Sequence, residues 1–185
     1  MSNNRMSNNR MITGIVTMQH LSVNSPRPSN FGGRDKYGAC IIVSKSETQT
    51  IETIKASIKA AYEAGKGTLQ SGTSIVPPLD TLKTPLRDGD VEHHGDAMYA
   101  NSYFLNAYSI KKPGVFDADA KPINDPSEIH NGIEGLADIT FYAYNTNGNI
   151  GIACGLNGIQ KLSDGTYNTP PCGFKPVTNN MDFLN

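Results

Sequence analysis

Two runs of alternating residues, ADITFYAYN at 137–145 and NIGIACGLN at 149–157, stand on either side of a short connection ending in Asn147-Gly148. Alternation with period two puts successive side chains on opposite faces of a strand, and an Asn-Gly pair between two such runs favours a tight turn. The spacing predicts a hairpin. Ala137, Ile139, Phe141 and Ala143 form its core-facing set, leaving Asp138, Thr140, Tyr142 and Tyr144 on the other face. In the second run the apolar set is Ile150, Ile152, Cys154 and Leu156, opposed by Gly151, Ala153 and Gly155, a face almost without side chains. Bare backbone beside two tyrosines leaves room for a flat ligand. The same pattern also suits tyrosines that simply pack down onto those small residues, and both readings stand at this stage.

Around this hairpin the chain reads as mainly β. A β-branched run at 11–18 predicts a first strand, and GACIIVS at 38–44 a buried one reached through the Pro/Ser/Gly-rich loop at 26–37. From Ser46 the period changes to that of a helix, with Ile51, Ile54, Ile58, Ala61 and Tyr62 on one stripe. Ser46 and Gln49 suggest a capping box, and Gly65 a stop. Residues 66–98 read as loop, with a tight turn at Asp88-Gly89. An aromatic strand follows at 99–109. There Tyr103, Leu105 and Ala107 alternate with Phe104, Asn106 and Tyr108, and periodicity leaves open which set is internal. A short helical turn at 127–130 and an edge strand or cap at IQKLSDG, after the hairpin, complete the reading. One long helix among four or five strands fits a five-stranded barrel with one inserted amphipathic helix and long loops.

The opening repeat MSNNRMSNNR is polar and lacks apolar periodicity, so residues 1–10 are expected to be disordered. A single domain is expected over 11–165, with a flexible tail over 166–185. No apolar run approaches the roughly 20 residues needed to cross a bilayer, and no signal-peptide pattern is present, so the expected setting is intracellular and free of membrane. Cys40, Cys154 and Cys172 are spaced for neither a redox pair nor a zinc knuckle. The first two fall in apolar strands as small buried hydrophobes, the third in a loop.

With 16 Lys plus Arg against 17 Asp plus Glu, the chain is no duplex-coating polycation. Charge is unevenly spread, however. Residues 1–45 hold six basic side chains against the single acid Asp35, whereas 80–96 is dominated by acids. Aromatic strands flanked by local basic residues suit the stacking and phosphate contacts of single-stranded nucleic acid. The candidate contacts are Arg34, Lys36 and Tyr37 before and at the second strand, Lys83 and Arg87, Tyr103 and Tyr108, Lys111 and Lys112, then Tyr142 and Tyr144.

Enzymatic readings find little. His93-His94 lacks a spaced set of companion ligands, and Asp88 with Asp90 sits in a turn rather than a two-metal arrangement. FGGRD at 31–35 is not a phosphate-binding loop. No cofactor is called for.

The segments LKTPLRDGD, YFLNAYSIKKPGV, PINDPSEIHNG and GLADITFYAYNTNGNIGIACGLNGIQKL follow a strand–helix unit in that order. From about Met11 to Asp164 the chain thereby resembles a family of phage-encoded proteins, long without assigned function, that includes a single-stranded-DNA-binding protein with an oligonucleotide/oligosaccharide-binding (OB) fold. The resemblance implies an OB-like barrel that coats single-stranded DNA without sequence preference in phage replication or recombination, in the cytoplasm of an infected bacterium and without catalytic turnover. It admits phage or host replication proteins and a second copy of the chain as partners. The alternative is a non-catalytic structural or protein-interaction module. One departure concerns the tail: such proteins often end in an acidic run closed by an aromatic, whereas NNMDFLN offers Asp182 alone beside Phe183.

Overall fold

The computed structural model describes residues 8–28, 33–70 and 75–165. Cys172 and the tail therefore lie outside the described residues, as do residues 1–7 of the opening repeat.

The predicted hairpin is the backbone of the fold. Strands β7 (Glu134–Thr146) and β8 (Asn149–Ser163) pair antiparallel along their length. Their two-residue turn has Asn147 at φ 51° and Gly148 at φ 83°, the left-handed pair that a tight hairpin turn requires. β8 runs on through the segment expected to be a separate edge strand. The reason is a bulge: Asp138 faces Gly158 but Ile139 faces Leu156, so Asn157 is an extra residue. That insertion shifts the apolar phase, from Leu156 to Ile159, without ending the strand.

The first strand is broken rather than continuous: β1 (Arg10–Ile12) and β2 (Val16–Gln19) both pair with β7. Thr13 bridges the break, its amide donating to the Ala137 carbonyl and its hydroxyl accepting from the Ala137 amide. Arg10, expected in the disordered arm, is thus part of the sheet. β3 (Tyr37–Ser44) pairs with β2 and with β5 (Ser102–Ser109), which begins three residues later than expected and meets β8 in parallel at Tyr108 and Gly155. The ring β2–β3–β5–β8–β7 closes. The fold is the five-stranded, OB-like barrel with an inserted helix, extended by β1, by the two-residue β4 (Arg87–Asp88) on β5, and by β6 (Gly114–Phe116) on β8.

Helix α1 (Thr48–Ala64) packs on β7 and β1 through Ile51, Ile54, Ile58 and Ala61, the predicted stripe. The capping box is not formed. Glu47 is the N-cap without a side-chain bond, because the Ser46 hydroxyl meets that of Ser44 instead. At the other end the Gly65 amide closes on the Ala61 and Tyr62 carbonyls. Short helical turns α2 (Lys66–Leu69) and α3 (Gly89–Glu92) and 3-10 turns at Leu79–Thr81 and Pro126–Glu128 punctuate the loops. Asp88-Gly89 therefore opens α3, the Asp88 carboxylate capping the Asp90 amide, rather than forming an isolated turn.

Ile41, Val43, Leu105, Ala107, Ile139, Phe141, Ile152 and Leu156 fill the barrel interior together with α1. This settles the face of β5: Leu105 and Ala107 point inward, Asn106 and Tyr108 outward. Phe104, also outward, is buried with Ile42, Cys40 and Tyr99 in a second, smaller cluster.

Candidate nucleic-acid interface

The outer face of β3, β5, β8 and β7 carries the exposed aromatics. Register places Gly38 opposite Tyr108, Tyr108 opposite Gly155, and Gly155 opposite Thr140, so the four strands present one continuous row. Tyr108 is 50% exposed and leans over Gly38, whose added Cβ would meet its ring at 2.7 Å. Tyr142 is 46% exposed, with its ring edge 3.5 Å from the corresponding point above Gly155. Between the two tyrosines the sheet is floored by that glycine. Tyr144 is half-buried: its ring covers Gly151, and the Lys83 carbonyl closes the far side by accepting from the Ile152 amide. Of the two tyrosines on this face of the hairpin, one is open and one is committed to packing.

Cations differ in the same way. Arg27 and Lys36 exchange backbone hydrogen bonds of 2.8 and 3.0 Å across the loop beside Tyr108, leaving both side chains exposed. With His20, Cys40, Asn106 and Tyr108 they line a cavity of about 270 Å³. Arg34 is exposed in the same loop, and Lys111 and Lys112 are exposed where the chain leaves β5. The Lys83 Nζ donates to the side-chain Oδ1 of Asn149 at 3.2 Å, next to the hairpin turn.

Other predicted contacts are placed elsewhere. Tyr103 turns to the inner side, against the barrel core, with Lys45 and Lys55 5.0 and 5.7 Å from its ring centre. Tyr37, at the start of β3, shares the inward parity of Ala39 and Ile41 and is half-buried. Arg87 stacks 4.4 Å above Phe104 and pairs with Glu92 at 2.9 Å. His93 stacks on Tyr99 at 3.9 Å, and burial pushes the Tyr99 phenol above its ordinary range. Sequence reasoning missed Arg27, His20 and Asn106; a basic residue between two prolines, PRP at 26–28, was the available signal for the first.

Further along the outer face of β7, the Arg10 guanidinium grips Asp138 through Nε at 2.9 Å and Nη2 at 2.5 Å, and the Asn157 amide adds a bond of 2.9 Å. Burial pushes the Asp138 carboxyl up, but these donors outweigh it and hold it below its usual value. Among the described residues, no three His, Cys, Asp or Glu side chains cluster to hold a metal, and no helix is long and apolar enough to cross a membrane.

The family model described as "Enterobacter phage Enc34, ssDNA-binding protein" matches residues 9–171. A relative, protein p50 of Acyrthosiphon pisum secondary endosymbiont phage 1, is 30% identical over 139 residues, covering 72% of each chain. The solved structure of the single-stranded DNA-binding protein from bacteriophage Enc34 in complex with ssDNA superposes with a TM-score of 0.72 at 16% identity, over 89% of this chain and 90% of that one. The bacteriophage T7 single-stranded DNA binding protein gp2.5 does so with a TM-score of 0.61 at 14% identity, over 92% and 100%.

Proposed function

The chain belongs to the family of the phage Enc34 single-stranded-DNA-binding protein, and from that premise we propose that it binds single-stranded DNA, without turnover, along the outer face of β3, β5, β8 and β7. The observation that carries the placement is the pair Tyr108 on β5 and Tyr142 on β7, half-exposed on either side of Gly155 on the intervening β8. Each offers a ring to a base, and base–aromatic stacking contributes roughly 1–3 kcal/mol without regard to sequence. Arg27, Arg34, Lys36, Lys111 and Lys112 border that face and reach for phosphates. Duplex DNA keeps its bases stacked on one another and cannot use the tyrosines. The biological setting that fits is phage replication or recombination in the cytoplasm of an infected bacterium, with other replication proteins, phage or host, and further copies of the chain as candidate partners.

The test is fluorescence anisotropy of labelled mixed-sequence single strands at two salt concentrations, with duplex as competitor. Length-dependent binding that weakens with salt and resists duplex supports the proposal. No binding at low salt would point instead to a structural or interaction module on the same scaffold.

A further inference from the structure

The cavity beside Tyr108 holds more than a stacking ring. Its floor is Asn106, half-buried in the middle of β5. Its walls carry His20, Arg27 and Lys36, and none of these four side chains has a hydrogen-bond or ion-pair partner among the described residues. The contrast with comparable side chains is sharp. Asn157 donates to Asp138 and Thr140, Asn145 to the Thr68 carbonyl, and Lys45 and Arg10 are held by carboxylates. The Asn106 amide is not sealed from solvent, so its donor and acceptor remain accessible to a group that enters the cavity. At about 270 Å³ the space greatly exceeds that of one bridging water, whose share of the liquid is about 30 Å³. His20 sits at φ 51°, a left-handed conformation uncommon outside glycine, which turns the chain out of β2 and sets the cavity's rim.

Resting on the strand-binding function above, we propose that this cavity receives one base of the bound strand and reads its edge through Asn106. Tyr108 supplies the aromatic wall, and Arg27 and Lys36 take the flanking phosphates. The Asn106 side chain presents a carbonyl acceptor beside an amide donor, which matches the exocyclic amine and ring nitrogen of adenine. An otherwise sequence-blind surface thereby contains one position at which hydrogen bonding, not stacking alone, contributes.

The experiment compares labelled oligo(dA) with an oligomer of equal length built on purine deoxyribonucleoside, which keeps the ring system and lacks the amine. The expected result is roughly tenfold tighter binding of oligo(dA) by the wild type. In Asn106→Leu oligo(dA) binds more weakly and the gap between the two oligomers closes to the intrinsic stacking difference of the strands; a gap as wide as in the wild type overturns the role of Asn106. A thermal melt establishes that the variant folds, and the wild-type comparison stands without it. Equal wild-type affinity for both oligomers overturns the base-reading cavity while leaving strand binding intact. Binding of neither overturns the strand-binding function itself, and the cavity with it.

Discussion

The outer face of β3 and β5 is built in two halves from similar residues, and only one half is open. At one end Phe104 and Ile42 are roofed by the 87–100 segment, which lays Tyr99 and His93 against Phe104, with Arg87 spent on Phe104 and Glu92, and Lys45 on Asp88 and Asp90 at 2.8 and 2.7 Å. At the other end Tyr108 lies open over Gly38, and beside it the side chains of Arg27 and Lys36 have no partner among the described residues. Aromatic and basic residues occur in both halves. What separates them is whether acids and cover come with them: Asp88, Asp90 and Glu92 lie in the segment that the fold lays beside the first half, where they take up Lys45 and Arg87.

Substitutions in the two halves should therefore fail in different assays. The largest effect belongs to Phe104→Ala, which empties the covered cluster and should cost about 3–5 kcal/mol of stability, read as a lowered denaturant midpoint. A loss of strand affinity with unchanged stability would erase the distinction. Tyr108→Ala and Tyr142→Ala should each leave the melt nearly unchanged and weaken single-strand binding by about 1–3 kcal/mol in anisotropy titrations. Tyr144→Ala should do the reverse, because its ring is already used on Gly151.

Charge separates the halves as well. Neutralising Arg27 or Lys36 should reduce the slope of log affinity against log salt by about 0.7 for each phosphate no longer neutralised, as should Lys111 or Lys112 where the strand passes them. Lys45→Ala should leave that slope unchanged, its charge being already balanced by two carboxylates. The smallest effect is on pH dependence. Asp138 has its carboxyl lowered in the folded state, so its contribution is complete above its unfolded value and disappears as pH falls through the folded one, below about pH 4. The pair is partly exposed, so Arg10→Ala should cost under about 1 kcal/mol at neutral pH, and thermal melts at low pH should show that difference closing.

Much of this was legible in the residues. The hairpin faces followed from period two, since Phe141 and Ile139 are fully buried and Tyr142 is open, and the α1 stripe followed from period 3.6. Tyr144 was not separable from Tyr142 by pattern, because Gly151, which its ring covers, is bridged by Lys83, far away in sequence. Both faces of β5 carry aromatic and apolar side chains, and only closure against β3 and β8 decided which is internal. The bulge at Asn157 and the break at 13–15 preserve strand pairing while resetting the alternation, so a periodic reading ends an element where the backbone continues it. The state of each cation was invisible for the same reason, as pairing is a long-range property: Lys45 meets Asp88 and Arg10 meets Asp138. Arg27 and Lys36 come together across a loop whose form no local rule supplies.

The most direct test of the open half is an amide chemical-shift map of the ¹⁵N-labelled protein titrated with a short single strand. Shifts concentrated at Gly38, Asn106 to Tyr108, Thr140 to Tyr142 and Gly155, with the 87–100 segment and α1 unmoved, are the predicted result. Shifts centred on the 87–100 segment or on α1, with Tyr108 and Tyr142 silent, would contradict it.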